Sequence, residues 1–180
     1  MEIILAENHG FCYGVKRAVE MANEAADGKG KSYTLGPIIH NPQVVGRLES
    51  KGVSPIQEVA DIDEGTMIIR SHGVGPAIYA EAEEKGLHIL DATCPHVKKA
   101  QQDAKSVIED GMTLVILGEK NHPEVKSINL WANNRGIIIE DEESAEKLQI
   151  VEKMGVVVQT TFSQFKFNSI IDILEKKSKN

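Results

Sequence analysis

The chain has 180 residues, of which 41% are hydrophobic and 26% are charged, a balance that fits one sizeable globular domain or two small ones. Its net charge of −7 argues against non-specific nucleic-acid binding, which depends on a basic surface. No apolar run approaches the roughly 20 residues of a membrane span, and no signal-peptide pattern opens the sequence. We therefore expect a cytoplasmic protein without nucleic-acid or membrane partners. Its two cysteines are more typical of metal-binding or catalytic groups than of a disulfide.

Short apolar runs alternate with amphipathic stretches along the chain, and this alternation predicts strands followed by helices. The predicted strands cover 2–6, 32–36, 65–70, 87–93, 113–118, 136–141 and 155–161. The predicted helices cover 14–27, 41–52, 76–86, 96–111, 122–134, 144–149 and 165–179. Strands of continuous Ile, Val and Leu character, each followed by a helix, are typical of parallel sheets covered on both faces. The pattern predicts two three-layer α/β domains at 14–94 and 95–180, preceded by an amino-terminal strand and turn at 1–13.

An internal repeat supports this division. Shifting the sequence by 82 residues carries Cys12 onto Cys94 and His40 onto His122. The shift gives eight identities in 29 positions, where average composition predicts roughly two. A repeat of this length indicates a duplicated supersecondary unit. Because packing alone rarely preserves a cysteine in place of Ala or Val, the repeated polar residues favour a chemical role.

Several candidate polar residues follow the ends of predicted strands and precede helices. They are His40, His72, Cys94 and His122. Open α/β sheets bind ligands at the carboxyl ends of their strands, so we expect these side chains to face one common site.

Both cysteines directly precede a predicted helix. Backbone N–H groups and the helix dipole stabilise a thiolate at that position, and Lys16 and Lys98 add positive charge in the first helical turns. Such a thiolate is a nucleophile or a metal ligand, and a small buried apolar cysteine is the alternative. The wide spacing of Cys12 and Cys94 excludes a cluster held by adjacent CxxC ligands.

The three histidines could form either a zinc site or a cationic cradle for phosphate if they converge. Glu124, two residues after His122, is suited to relaying a proton, although a solvated residue in a first helical turn is equally typical. Thr160 ends the last predicted strand, where a hydroxyl serves a binding site or caps the next helix.

Six ordered motifs together resemble one known family. "LAENHGFCYGV", "GPIIHNPQVV", "RSHGVG", "DATCPHV", "NHPEV" and "QTT" resemble the amino-terminal two-thirds of 4-hydroxy-3-methylbut-2-enyl diphosphate reductase. This family comprises the iron–sulfur enzymes of the last step of the non-mevalonate isoprenoid route. The resemblance covers essentially the whole chain, and it implies three α/β lobes in a pseudo-threefold trefoil around a 4Fe–4S cluster with one cysteine from each lobe.

The resemblance also implies a reaction and a role for each candidate residue. The reaction reduces (E)-4-hydroxy-3-methylbut-2-enyl diphosphate, an allylic diphosphate, to isopentenyl diphosphate and dimethylallyl diphosphate. A ferredoxin- or flavodoxin-like protein would donate the electrons. The implied roles are metal ligation by Cys12 and Cys94, substrate binding by His40, His72, His122 and Thr160, and catalytic proton delivery by Glu124.

The sequence departs from the family in one respect. The third lobe, with its cysteine and its Ser/Asn-rich segment, has no counterpart within the 180 residues. In the family the amino-terminal strand pairs within that lobe, so the strand at 2–6 is also expected to lack its sheet. We expect the chain to be a fragment or a truncated form, or else a degenerate relative, that holds a cluster poorly and turns over little.

Two other interpretations stay open at this point. The chain could be a non-catalytic module that binds a phosphorylated metabolite through its histidines. It could also be a mononuclear zinc hydrolase with Cys and His ligands.

Overall fold

The computed structural model describes residues 2–7, 9–28 and 30–179, in which helices and strands largely alternate. Met1, Asn8, Lys29 and Asn180 belong to the predicted segments but lie outside the described residues. The helices are α1 (Tyr13–Asp27), α2 (Pro42–Glu49), α3 (Pro76–Glu84), α4 (Pro95–Glu109), α5 (Pro123–Trp131), α6 (Glu142–Glu146) and α7 (Gln164–Glu175). The strands are β1 (Ser32–Leu35), β2 (Val53–Ile56), β3 (Thr66–Ile69), β4 (His88–Asp91), β5 (Thr113–Leu117), β6 (Ile137–Ile139) and β7 (Met154–Val158).

The strands form two parallel sheets. The first sheet has the order β2-β1-β3-β4 and the second has the order β6-β5-β7. Ser32 of β1 pairs with Thr66 of β3, and Thr113 of β5 pairs with Met154 of β7. Because all the paired strands of each sheet run in the same direction, their carboxyl ends lie at one edge. That edge carries the candidate polar residues.

Helices cover both faces of each sheet. Successive side chains of a strand point to opposite faces, and on β3 Ile68 packs with Ala22 of α1, whereas Met67 and Ile69 pack with Ala82 of α3. The side chains of β5 alternate in the same way between a cluster with α4 and α5 and a cluster with α6 and α7. The predicted three-layer parallel α/β fold class is confirmed.

The internal repeat appears as a repeated topology. A shift of 82 residues carries the bounds of α1 onto those of α4. The order β2-β1-β3 in the first sheet corresponds to β6-β5-β7 in the second. β4 is the additional strand of the first sheet, and it ends at Asp91, shortly before Cys94. The division into domains at 14–94 and 95–180 stays a prediction.

The predicted strand at 2–6 is wrong, because residues 2–6 form no strand. Ile3, Ile4 and Leu5 are 74%, 83% and 76% exposed. A strand makes its backbone hydrogen bonds with a neighbour, and no described strand pairs with this segment. The apolar pattern therefore predicts a propensity for β-structure but cannot supply the partner, in line with the expectation that this segment lacks its sheet.

Other elements differ from the prediction at their ends. The sequence does not reveal β2, because Ser54 and Pro55 interrupt its apolar pattern; the proline is tolerated because β2 is an edge strand. A 3-10 helix, Val59–Asp61, follows it. Helix α5 stops at Trp131, before Asn133 and Asn134 adopt positive φ angles of 53° and 57°.

Candidate functional site

Three histidines from three loops form one cluster. His40 follows β1, His72 follows β3 and His122 follows β5. The ring centroids lie 4.8 Å apart for His40 and His72, 5.4 Å for His72 and His122, and 6.3 Å for His40 and His122. One ring nitrogen of each residue lies within 4.8 Å of the other two. We call these three residues the histidine cluster.

The ring of His72 is neutral at pH 7. Burial lowers its pKa to about 4, and electrostatic interactions with Arg70, His40 and His122 act in the same direction. Its Nδ1 atom is buried and has no hydrogen-bond partner in the described part of the chain. Buried polar atoms are normally paired, so this nitrogen marks a place where the protein leaves hydrogen-bonding capacity unused.

The backbone of α5 sets the proton position on His122. The Glu124 N–H donates to Nδ1 of His122 over 3.2 Å, at the amino-terminal cap of the helix. An Nδ1 atom that accepts a hydrogen bond carries no proton, so the neutral ring carries its proton on Nε2. From this bond we assign His122 Nε2 as a hydrogen-bond donor, which suits an anionic ligand.

Glu124 is buried, with 2% of its surface exposed. Both of its carboxylate oxygens accept hydrogen bonds from Thr160: the backbone N–H donates to Oε1 over 2.6 Å, and the hydroxyl donates to Oε2 over 2.9 Å. The alternative of a solvated first-turn glutamate is therefore wrong. Because Thr160 is itself exposed, its hydroxyl connects the buried carboxylate to the surface of the site.

Both cysteines cap helices and both thiols are free. The carbonyl oxygens of Cys12 and Cys94 accept from the N–H groups of Lys16 and Lys98, at 2.9 Å in each case. Cys12 is exposed and Cys94 is half-buried. The alternative of a buried, apolar packing residue is excluded for Cys12.

Gly14 brings the two cysteine turns together. A Cβ atom at this position would lie 2.6 Å from the Sγ atom of Cys94, so only glycine allows this approach. Two residues of chain, at most about 7 Å, separate Cys12 from Gly14. The Cys94 N–H donates to the carbonyl oxygen of Ser71 over 3.0 Å, next to His72. Cys94, the start of α1 and the histidine cluster thus belong to one region of the molecule.

The basic residues near the cysteines bind other protein groups. Lys98 forms an ion pair with Asp91 at 2.6 Å. The guanidinium of Arg17 donates to the carbonyl oxygens of Thr93 and Asp91 over 3.2 and 3.4 Å. These contacts hold α1 and α4 against the turn that carries Cys94.

Two buried residues that support the site do not stand out in the sequence motifs. The hydroxyl oxygen of Ser127 lies 2.8 Å from the carbonyl oxygens of both His72 and Glu124. The side-chain amide of Gln101 donates to this hydroxyl over 3.2 Å. The available signal is the position of Gln101 in the apolar stripe of α4, because a polar residue on a buried helix face needs a partner.

Fold and site together define an α/β protein with two related parallel sheets, which gathers imidazoles, a carboxylate and free thiols beyond the carboxyl ends of its strands. The sequence profile of the LytB protein family matches residues 3–180. The chain belongs to this family.

Curated relatives carry a common name. The chain is 48% identical over 172 residues to 4-hydroxy-3-methylbut-2-enyl diphosphate reductase of Geotalea uraniireducens, a match that covers 96% of this chain and 61% of the relative. It is 51% identical over 163 residues to the protein of the same name from Pelobacter propionicus, covering 91% of this chain and 58% of the relative. The chain thus spans about three-fifths of the length of these relatives.

Solved structures agree with these matches. One structure of (E)-4-hydroxy-3-methyl-but-2-enyl diphosphate reductase superposes with a TM-score of 0.86 at 43% identity, covering 98% of this chain and 65% of that one. The structure of E-1-hydroxy-2-methyl-but-2-enyl-4-diphosphate reductase from Plasmodium falciparum gives a TM-score of 0.90 at 32% identity, covering 95% and 55%. Within the described residues, none of the helices has the length and apolar character that crossing a membrane requires.

Proposed function

We propose that this chain acts in the reductive dehydroxylation of (E)-4-hydroxy-3-methylbut-2-enyl diphosphate to isopentenyl and dimethylallyl diphosphate. In this reaction a C–O bond breaks, and two electrons and two protons convert the substrate to product and water. The relatives named above carry the name of this activity. The observation that carries the proposal is the histidine cluster beside the buried pair of Glu124 and Thr160.

The histidine cluster would bind the diphosphate of the substrate. Three imidazoles whose ring nitrogens lie within 4.8 Å of one another can donate to several oxygens of one anion. His122 supports this role because its Nε2 carries the proton, as assigned from the Glu124 N–H bond. The unpaired Nδ1 of His72 offers a further polar contact if the ring or its neighbours move on binding.

The same bond argues against a zinc site. A zinc ion binds a ring nitrogen through its lone pair, and His122 could offer Nε2 only by moving its proton to Nδ1. That change would place two N–H groups, those of Glu124 and of the ring, against each other. We therefore favour the anion cradle over the zinc hydrolase.

Glu124 and Thr160 would supply the proton that leaves with the substrate hydroxyl. Thr160 is exposed and its hydroxyl bonds to Oε2 of Glu124. When Glu124 is protonated, the hydroxyl can accept that proton and donate its own to the substrate hydroxyl, which leaves as water while Glu124 becomes a carboxylate. The burial of Glu124 shields this pair from bulk water. This pair also argues against a non-catalytic binding module, which has no need of a buried acid.

Cys12 and Cys94 fit part of the ligand set of an iron–sulfur cluster. Both are free thiols at helix amino-termini, and the missing side chain of Gly14 leaves the approach between α1 and the Cys94 sulfur open. Such a cluster, when bound, would supply electrons and a Lewis-acidic iron. Two thiolates are fewer than the four ligands that a 4Fe–4S cluster usually takes from a protein. The electrons would come from a ferredoxin- or flavodoxin-like protein in the cytoplasm.

Isothermal titration calorimetry with the allylic diphosphate tests the substrate assignment. We expect one molecule to bind per chain, with affinity reduced at least tenfold in His122→Ala and unchanged in His88→Ala, an exposed histidine outside the cluster. If the chain does not bind the diphosphate but binds one zinc ion through the histidine cluster, that result would support the zinc hydrolase instead. Binding that survives His122→Ala would contradict the proposed cradle.

Anaerobic reconstitution with iron and sulfide tests the metal ligands. We expect cysteine-dependent absorbance at about 400 nm, and we expect Cys94→Ser to remove it while circular dichroism shows an intact fold. Absorbance that is retained in Cys94→Ser would exclude this residue as a ligand.

A further inference from the structure

A cavity lies next to the histidine cluster. It has a volume of about 340 Å³ and is bordered on one side by residues at the ends of β1 and β3, and on the other by residues of α5 from Pro123 to Leu130. None of the three clustered histidines lines it. We call it the seam cavity. Its polar lining includes Gln57, Arg70, Asn121 and Lys126.

Arg70 brings a positive charge into this cavity without a counter-ion. Burial lowers the pKa of its guanidinium, because a charged group loses hydration there. Its Nε atom is buried and has no hydrogen-bond partner among the described residues. A cationic donor that lacks an acceptor is costly, and an anion in the cavity would offset the charge of Arg70.

Lys126 adds a second positive charge on the opposite wall. It lies on the exposed side of α5, and no described carboxylate pairs with either Lys126 or Arg70. No aspartate or glutamate occurs among the described residues that line the cavity. Two unpaired cations on facing walls are notable in a chain with a net charge of −7.

Gly36 fixes the position of the guanidinium. Its φ angle of +71° favours glycine, and a Cβ atom here would lie 2.8 Å from Nη1 of Arg70. The guanidinium therefore packs against the backbone at the end of β1. This contact gives Arg70 a defined place in the wall of the cavity, in contrast to a side chain that moves freely in solvent.

The rest of the wall is largely apolar. Pro37, Ile78 and Leu130 contribute to it, and Gly75 lies so close to Leu130 that a Cβ atom would come within 2.8 Å of that side chain. An apolar wall beside two cations fits a ligand with an anionic head and an apolar body. A free inorganic ion would leave this wall unused.

We propose that the seam cavity is a second binding site, separate from the histidine cluster, for a small alkyl phosphate. Arg70 and Lys126 hold its phosphate, and the apolar wall covers its alkyl chain. Gln57 and Asn121 add neutral hydrogen-bonding groups at the same site. The site stands on the cavity and its unpaired cations, and so it does not depend on the proposed reductase activity.

Nuclear magnetic resonance of the full chain tests the proposal. The Nε–H signal of Arg70 reports the seam cavity, while the imidazole C–H signals report the histidine cluster. The probe is 3-methylbutyl phosphate, compared with inorganic phosphate. We expect the Arg70 signal to shift with saturation, at a dissociation constant at least tenfold lower for the alkyl phosphate than for inorganic phosphate.

Variants separate the two sites. We expect Lys126→Met to weaken the Arg70 response at least tenfold, and Lys153→Met, an exposed charge that precedes β7, to leave it unchanged. His40→Ala should also leave it unchanged. The proposal is overturned if the Arg70 signal does not respond, if it responds equally to inorganic phosphate, or if its response disappears in His40→Ala. The imidazole signals are read in the same spectra and report binding at the histidine cluster separately.

Discussion

The two cysteine turns carry the same motif but sit in different surroundings. Each cysteine caps a helix, and each carbonyl oxygen accepts an N–H group at 2.9 Å. Upstream of Cys94, β4 is paired in a sheet. The Ala92 N–H donates to the carbonyl oxygen of Ile69, the last residue of β3, and the Cys94 N–H donates to that of Ser71 in the following loop. Upstream of Cys12, residues 2–6 form no strand, and their large apolar side chains are exposed.

This difference separates what local sequence determines from what tertiary pairing determines. The helix that follows each cysteine needs only its own backbone bonds and its apolar face. The position of the sulfur also depends on the segment before the cysteine. Among the described residues, that segment is part of a sheet before Cys94 but not before Cys12. The same motif therefore yields a half-buried thiol in one place and an exposed thiol in the other.

Hydrogen exchange should show the largest difference between the two turns. We expect the N–H groups of Ala92 and Cys94 to exchange at least about 10³-fold more slowly than those of Ile3 and Leu5, because core openings cost several kcal/mol. The measurement is residue-resolved exchange under native conditions. Comparable rates in both segments would contradict the difference in pairing.

The contact between α1 and Cys94 can be removed by one methyl group. We expect Gly14→Ala to lower the free energy of unfolding by about 1–3 kcal/mol, because its Cβ would overlap the Cys94 sulfur. The matched control is Gly46→Ala in α2, where no atom lies within 4 Å of the new Cβ. That control should stabilise the protein by about 0.5–1 kcal/mol. Urea unfolding measures both, and equal effects would mean that α1 does not pack against Cys94.

Asp91 ties the Cys94 turn to its surroundings. It accepts from the Thr93 N–H at 2.9 Å, from the Tyr79 hydroxyl at 3.0 Å and from Lys98 at 2.6 Å. We expect Asp91→Asn to cost about 1–2 kcal/mol and to speed the reaction of Cys94 with a thiol reagent, so that its rate approaches that of Cys12. Asp27→Asn, at the exposed end of α1, is the control. An unchanged rate for Cys94 would show that other contacts hold the turn.

His72 follows Ser71, whose carbonyl oxygen accepts the Cys94 N–H. We expect His72 to have a smaller, pH-dependent effect on the free energy of unfolding. Its pKa is about 4 in the folded chain and about 6.5 when unfolded, so the unfolded state binds more protons between these values. The free energy of unfolding should therefore fall as pH decreases from 6.5 to 4, by at most about 1.4 kcal/mol per pH unit from this residue. We expect His72→Gln to flatten the dependence and His96→Gln, which is exposed, to leave it unchanged. A slope that persists in His72→Gln would assign it to other groups.

Repetition made much of the fold predictable. The shift that aligns Cys12 with Cys94 also aligns α1 with α4, and continuous apolar strands indicated two parallel sheets. The geometry of parallel sheets predicts that His40, His72 and His122 lie close together, because each follows the carboxyl end of a strand. Their distances confirm the meeting, while their roles stay a prediction.

The remainder depends on contacts between distant residues. Whether residues 2–6 form a strand depends on a neighbouring strand, which their own sequence does not identify. The sequence places Gly14 at the start of a helix, but it does not show that the sulfur of Cys94 packs against this residue. Likewise it places Arg70 after a strand, but it does not show that the Nε atom of Arg70 is buried. Local patterns describe propensity and periodicity, whereas these features arise when separate segments pack.

We propose that three imidazoles from separate loops act as one anion cradle. A titration of the chain with (E)-4-hydroxy-3-methylbut-2-enyl diphosphate, followed through the imidazole C–H signals, tests it most directly. We predict that the signals of His40, His72 and His122 shift together along one saturation curve with one ligand per chain. Signals that stay in place, or that follow separate curves, would contradict the claim.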